Sequence, residues 1–506
     1  MKITIVAPYD SEWRLVETQS IRLRQLNSRL LAEGFESLYV DASLEQMSPL
    51  EVLEVIKEDQ PQILVVDFLI RALPFICILV ECVRNYFGGH IKIVLLGHAV
   101  SNYSDLLFCN VSQIDAIIPW FPEYALPNLV LGLTAGKSLD EIPGVQTRDR
   151  KVCDSELFVN FGKDVIVDMP AIDRSYLKAS CSDGAEVLSS IGCGGRCSFC
   201  NCNDSRIPLK TTWMGYSPDS IIREIEFVAK VNHCTNFHFV DHNFLGCSQE
   251  GRERALAIAE GLVQKKCNVR FSIFCRCDSL EDELICRLAD AGLWCVNIGI
   301  ESLSPQALNR YRKDITVKQV KKAVKILRKY DVFFNPTFIM FDPWNSLNDI
   351  LEIIEFIEDN ELFLSFTFSE IIPIPNTYIF DKLLNEHLYV DMTSNVLPIP
   401  SVEYRRSPLN DLRRVWLNVS DCLGSVHLGL RKEIDKSIDE WIAGGGITSS
   451  IPIEICREFR KSELRFVKQI IEQMMCSSSI DDVIDELNPA DFWSSFASID
   501  SLRLEE

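Results

Sequence analysis

Three cysteines set the chemical question. Ile191–Cys200 reads IGCGGRCSFC, which places Cys193, Cys197 and Cys200 in C-x3-C-x2-C spacing. Three thiolates on one short loop can each hold one iron of a 4Fe–4S cluster, leaving the fourth iron open to an outside ligand. Gly192, Gly194 and Gly195 let such a loop wrap closely, because glycine has no Cβ to collide. A structural zinc site asks for four ligands in two pairs, and no second pair lies at zinc-finger distance. A thioredoxin-type redox pair needs only two cysteines in a different context. The chain has 19 cysteines. In a compartment that keeps thiols reduced they form no disulfide framework, and most, such as Cys77, Cys82 and Cys286, read as small buried hydrophobes in apolar helical patterns.

The elements that must position this loop are alternating strands and helices. The cysteines follow a predicted strand over Glu186–Ile191, the first of a βα series. Further strands fit Asn236–Asp241, Val269–Phe274, Cys295–Gly299, Phe333–Phe341 and Phe363–Ile371. Helices fit Pro218–Val231, Gln249–Lys265, Glu281–Ala291, Val317–Tyr330 and Leu347–Asn360. Six such units predict a partial (β/α)6 barrel of TIM type, with its chemistry at the carboxyl ends of the strands. Upstream, Lys2–Ala7, Ser37–Asp41, Ile63–Asp67, Ile91–Leu96 and Ala116–Pro119 read as strands, with helices over Thr18–Glu33 and Pro122–Gly136. Continuous apolar runs spaced by helices predict a doubly wound, Rossmann-like parallel sheet, whose ligands bind beyond the strand ends. The expected division is 1–145 for this α/β domain, 146–185 for a polar linker, 186–397 for the barrel and 398–506 for a mostly helical C-terminal domain, in which Glu433–Ala443 and Glu454–Met475 have amphipathic spacing.

Composition narrows the partners. Apolar residues make up 47% and charged residues 24%, a globular balance. With 51 Lys and Arg against 72 Asp and Glu, the formal charge is −21, so a phosphate backbone is repelled and no nucleic-acid partner is expected. Met1–Trp13 resembles neither a signal nor a transit peptide. The most apolar stretch, Phe68–Val80, is interrupted by Arg71 and Pro74 and falls short of the ~20 residues that span a bilayer. No membrane partner and a cytoplasmic location are expected.

The cysteine motif resembles that of the radical S-adenosylmethionine (SAM) superfamily, over roughly Glu186–Leu384. The resemblance implies a 4Fe–4S cluster on Cys193, Cys197 and Cys200, SAM chelated at the open iron, and an external electron donor of flavodoxin or ferredoxin type. It implies that Phe199 contacts adenine, that Asp241 in FVDHNF lies near SAM, that Arg276 in FCRCD meets the SAM carboxylate, and that Glu301 and Ser302 in GIES touch its ribose. The residues alone offer plainer roles: an ion pair for Arg276 and helix caps for Asp278 and Ser302. Phe341–Trp344 (FDPW) stands in the place of a Gly-Pro-Gly loop, and Pro375–Leu383 is similar to a P-G-T-P-L-Y segment with Asn376 replacing the glycine. The first domain resembles the cobalamin-binding domain that precedes the barrel in class B radical SAM methyltransferases. Leu96–Ala99 (LGHA) looks like its G-G-x-H-A turn, putting Gly97 and His98 at the cofactor, and Ile142–Val145 (IPGV) matches its exit motif. The D-x-H-x-x-G and P-P-L-G segments of that domain are absent.

These resemblances imply a radical SAM enzyme acting on a small-molecule or peptide substrate, with cobalamin-dependent carbon methylation as the first reading. The alternative is a peptide-modifying enzyme, for instance an epimerase of a ribosomal precursor peptide, with a degenerate cobalamin domain. Its hydrogen donor would be a thiol such as Cys275, Cys277, Cys295, Cys422, Cys456 or Cys476. An intact cluster loop disfavours a third class, a non-catalytic scaffold.

Overall fold

The computed structural model describes residues 1–9, 18–97, 99–151, 184–202, 213–365, 369–393, 398–402, 412, 429–446, 449–476 and 483. Five parallel strands form the first sheet: β1 (Lys2–Ala7), β2 (Glu36–Asp41), β3 (Ile63–Asp67), β4 (Lys92–Leu96) and β5 (Ala116–Ile117), in the order 2-1-3-4-5. This is a doubly wound order whose direction reverses between β1 and β3, where a crevice opens at the strand ends. Alternate residues along each strand serve opposite faces. Ile3, Ile5, Ile63, Val65, Val94 and Leu96 pack with Leu23 and Leu26 of α1 (Thr18–Ala32) and Leu126 and Leu129 of α5 (Pro122–Thr134). Val6, Leu64, Val66, Ile93 and Leu95 pack against α2 (Pro49–Asp59), α3 (Leu73–Phe87) and α4 (Ser104–Asn110).

The second sheet is also parallel, in the order β12-β11-β10-β9-β6: β6 (Ala185–Val187), β9 (Asn236–Phe239), β10 (Arg270–Cys275), β11 (Leu293–Glu301) and β12 (Phe333–Phe338). The crossover helices are α6 (Pro218–Val231), α7 (Gln249–Gln264), α8 (Asp282–Asp290), α10 (Val317–Lys329) and α11 (Leu347–Asp359), with the short α9 (Pro305–Arg310) inserted before α10. Two expectations are corrected. The predicted strand over Glu186–Ile191 divides at Leu188, and its second half, β7 (Ser190–Gly192), leaves the sheet to pair antiparallel with β8 (Trp213–Gly215). Apolar continuity hid this, because both halves are buried. The predicted sixth strand, Phe363–Ile371, opens instead with a 3-10 turn at Phe363–Ser365; residues 366–368 lie outside the described residues, and a parallel bridge joins Phe341 to Glu370. Among the described residues the named strands of this sheet number five.

Beyond α12 (Tyr378–Asn385), β13 (Tyr389–Thr393) and β14 (Pro398–Val402) make an antiparallel hairpin. The C-terminal helices α13 (429–443) and α14 (Ile453–Cys476) follow. Ile434, Ile438, Phe459 and Ile470 join the same apolar core as Phe271, Val296 and Phe334 of the barrel. Among the described residues no helix is long and apolar enough to cross a membrane.

The two sheets meet through specific hydrogen bonds. Gln25 Nε2 donates to the Leu188 carbonyl at 3.0 Å. Asn102 Nδ2 donates to the Pro375 carbonyl, and Asn376 Nδ2 donates back to the Asn102 carbonyl, both at 2.8 Å.

Candidate active site

The cysteine loop leaves β7 at Gly192 and is held by both side-chain and backbone contacts. Gly192 and Gly194 have φ of +82° and +75°, a left-handed conformation that a Cβ would strain. Asn243 Nδ2 donates to the Cys193 carbonyl at 3.0 Å and to that of Gly246 at 3.1 Å. At the other end, Ser198 N–H donates to the Tyr311 carbonyl at 2.8 Å. Ser198 Oγ donates to Arg310 O at 2.8 Å, and Ile379 N–H donates to the Ser198 carbonyl at 3.0 Å. Phe199 stacks edge-on against Tyr311, with ring centroids 5.6 Å apart. The loop's shape is thus imposed by its neighbours before any ligand arrives.

The thiols are distinguished by their surroundings. Burial pushes Cys193 up to about 12 and raises Cys197, which the Lys313 cation opposes. Cys200 is lowered to about 7, first by a hydrogen bond with Cys202 and, against burial, by Lys313. Cys247 adds another thiol, its Sγ 3.5 Å from the Cys193 carbonyl oxygen. No three His, Cys, Asp or Glu side chains among the described residues sit close enough to share one metal ion. Three thiolates that each take a different corner of a cubane have no need to. The donor set, the glycines and the prior bracing of the loop therefore fit a 4Fe–4S cluster.

Around the loop the structure gathers most of the residues expected there. Arg276 pairs with Asp278 at 3.0 and 3.2 Å and donates to the Lys313 carbonyl at 2.6 Å. A Cβ on Gly195 would lie 3.1 Å from Arg276 Nη1 and 3.4 Å from Cys193 Sγ, so the guanidinium lies against the loop. Glu301 ends β11 at φ +67° and accepts from Lys313 Nζ at 2.7 Å. Lys313 is the neighbour that sequence reasoning missed; nothing in RYRKD (310–314) marks its lysine as the partner of Glu301. Ser302 is fully buried and its Oγ accepts from Ser304 N–H at 3.1 Å, a local turn contact close to the cap expected of it. Asp278 instead serves Arg276 rather than a helix end. Asp241 is buried, accepts from Ser189 Oγ at 3.0 Å, and is raised by desolvation against the pull of Arg254.

A cleft separates this loop from the strand ends of the first sheet. One lobe, of about 340 Å³, is lined by Arg22, Ser190, Gly192, Asn201, Asp241 and His242. The other, of about 80 Å³, shares Arg22, Gly192, Asn201 and His242 and adds Gly97, Trp120, Phe121 and Cys202. His98 lies outside the described residues. Gly97 has φ +129°, and a Cβ there would stand 2.7 Å from Asp67 Oδ1. Arg22 reaches from α1 into both lobes while its guanidinium holds Glu123 at 2.6 and 3.0 Å. Desolvation within the cleft, and then the Arg22 cation, lower the His242 imidazole to about 4. His242 is nonetheless exposed and lines both lobes. The larger lobe has the size of a small-molecule pocket; the smaller falls well below that range. Gly97, Trp120 and Phe121 give the smaller lobe one residue without a side chain and two flat aromatic rings, surfaces that suit a broad apolar ring.

Residues 187–357 match the Radical SAM superfamily. The chain carries a radical SAM domain. The whole chain is similar in fold to the cobalamin-dependent radical SAM enzyme OxsB with aqua-cobalamin bound, with a TM-score of 0.74 at 17% identity, covering 99% of this chain and 76% of that one. It is also similar to the radical SAM methyltransferase TsrM from Kitasatospora setae, with a TM-score of 0.63 at 16% identity, covering 78% and 76%. In sequence it is 22% identical to an uncharacterized methyltransferase of Pyrococcus horikoshii over 72% of this chain and 78% of that protein. It is 24% identical to the 4′-phospho-dehydrooxetanocin synthase of Priestia megaterium over 62% and 44%. The expected fold, a parallel α/β domain ahead of a radical SAM barrel, is thereby established.

Proposed function

We propose that this chain is a radical SAM enzyme that activates a substrate C–H bond in the cleft between its two sheets, and that the reaction is cobalamin-dependent methyl transfer to carbon. The observation that carries the reading is the shared cleft, which sets Gly97, Trp120 and Phe121 opposite Gly192, Asn201 and Cys202. Cofactors that react together must be close, and each fold offers its ligand site at its strand ends. Cys193, Cys197 and Cys200 would hold three irons. A reduced cluster would then supply the electron that cleaves SAM to a carbon-centred radical. The protein's own part is to bind, orient and shield: Arg276, Asp241 and Glu301 are the polar groups on hand for SAM, Phe199 offers an aromatic edge beside it, and the cleft walls exclude bulk water. The corrin half of the reading rests on the likeness to OxsB and TsrM, and requires Trp120 and Phe121 to give way or to stack on the ring.

The test is anaerobic reconstitution followed by spectroscopy. About four irons per chain with SAM cleavage to 5′-deoxyadenosine support the enzyme, and an iron-free protein that leaves SAM intact refutes it. Stoichiometric corrin bands retained after removal of free cofactor support methyl transfer. SAM cleavage without retained corrin favours the second reading, a peptide-modifying enzyme with a thiol donor. One observation speaks for that reading: Cys202 borders the cleft, whereas Cys275, Cys277 and Cys295 are buried in the barrel.

A further inference from the structure

The turn between α9 and α10 is built in an unusual way. Arg312 and Asp314 both have positive φ, +48° and +55°, a conformation that costs an ordinary side chain of order 1 kcal/mol or more and persists only where surroundings impose it. Both are exposed, while Lys313 between them is turned inward and is 6% exposed. Each residue of the turn is anchored separately. The Arg312 guanidinium lies 3.8 Å from the ring centroid of Tyr378, and Asp314 faces Arg196 of the cysteine loop at 4.0 Å. Lys313 reaches Glu301 at 2.7 Å. The preceding carbonyls of Arg310 and Tyr311 are the ones that hold Ser198. Strain, anchoring and burial all turn one ammonium group inward, to Glu301, from the turn that grips the cysteine loop.

A buried lysine and glutamate that merely stabilised the fold would be a poor device, since desolvating both charges offsets most of their attraction. We propose that Lys313 is the fixed counter-cation of the cysteine loop, setting the reduction potential of the cluster bound there, with Glu301 as the carboxylate that holds and partly offsets it. The inference rests on the iron–sulfur reading above. Adding an electron makes a thiolate-ligated cluster more negative, so a nearby cation favours reduction and a nearby carboxylate opposes it; cluster potentials respond to such charges. The turn that carries Lys313 grips the loop on both sides of Cys197, at Ser198 through Arg310 and Tyr311 and at Arg196 through Asp314. Lys313 is a positioning residue that acts through the cluster rather than on substrate.

The experiment is an EPR-monitored redox titration of the reconstituted full chain without SAM, using a low-potential chemical reductant, with iron content measured for each variant. Lys313→Met should shift the reduction equilibrium about tenfold toward the oxidised cluster, ~59 mV lower for one electron. Glu301→Gln should move it the other way, and Lys313→Arg should stay near the parent value. If Lys313→Met fails to fold or to load iron, Glu301→Gln decides, and a potential unchanged or lowered in that variant overturns the inference. Fully loaded Lys313→Met and Glu301→Gln with the parent potential also overturn it while leaving the cluster reading intact. A parent protein that takes up no iron overturns both.

Discussion

At the residue scale, the thiols and one carboxylate make the sharpest predictions. Replacing Cys193, Cys197 or Cys200 by Ala removes one of three protein ligands. The visible charge-transfer absorbance and SAM cleavage should both be lost. The far-UV circular dichroism should persist, because the loop is braced by the Asn243 side-chain amide, the Tyr311 carbonyl and the Ile379 N–H whether or not iron is bound. Asp67 gives a pH signature. Burial lifts its carboxyl to about 7, against the pull of Arg22. Its folded-state pKa thus exceeds the unfolded value of about 3.9. The stability it contributes is then complete below about pH 4 and lost as pH rises through 7. Asp67→Asn should therefore gain on the parent between pH 5 and pH 8, by an amount bounded at about 4 kcal/mol. Urea midpoints of the metal-free protein at the two pH values measure it, and an equal difference at both would refute the buried-acid assignment.

At the element scale, the knot at Asp342 shows what the barrel spends on positioning its loop. Asp342 is fully buried. Its Oδ2 accepts from Arg310 at 2.7 Å and Tyr311 at 2.5 Å, and its Oδ1 accepts from the Trp344 and Asn345 N–H groups at 2.8 and 2.6 Å. Asp342→Ala should cost about 3–5 kcal/mol, as the loss of one partner of a buried pair does, and should lower iron retention because Arg310 and Tyr311 carry Ser198. Urea unfolding and iron content check the two halves. Gly97→Ala should also destabilise, since its φ of +129° and its closeness to Asp67 leave no room for a methyl group; thermal unfolding is the readout. Much of this architecture was legible in advance. Lys2–Ala7, Ile63–Asp67 and the helix over Leu347–Asp359 declared themselves through apolar runs, period and caps. What failed did so for physical reasons. Leu188 and Ser189 are buried like strand residues, which masks the point where β6 yields to β7. Phe363–Ser365 is apolar like a strand, yet it is a tight turn buried under α14. The partner of Glu301 stayed hidden because ion pairing across the end of a sheet leaves no trace in spacing.

At the scale of the whole molecule, two α/β units present their strand ends to one cleft, held in register by the reciprocal bonds of Asn102 with Pro375 and Asn376. Asn102→Ala removes one donor from that contact, and Asn102→Ala with Asn376→Ala removes both. The double variant should retain iron, since neither residue touches the cysteine loop, but should lose coupling between the halves. The expected result is unchanged iron content with a several-fold drop in product formed per SAM cleaved. Product falling in step with SAM cleavage would argue that the interface plays no part in the chemistry.

The bracing of the cysteine loop has a consequence for how the protein is made. Ser198 is held by Arg310 and Tyr311, and its carbonyl waits for the amide of Ile379. None of these exists when the cysteines leave the ribosome. At ~5–20 residues per second the interval to Ile379 is roughly ten to forty seconds. During it three thiols hang on a glycine-rich segment with nothing to shape them. Iron insertion is therefore a late event, set by the arrival of the fourth and fifth strand–helix units. A cell short of reductant would lose these thiols to oxidation before it lost the fold.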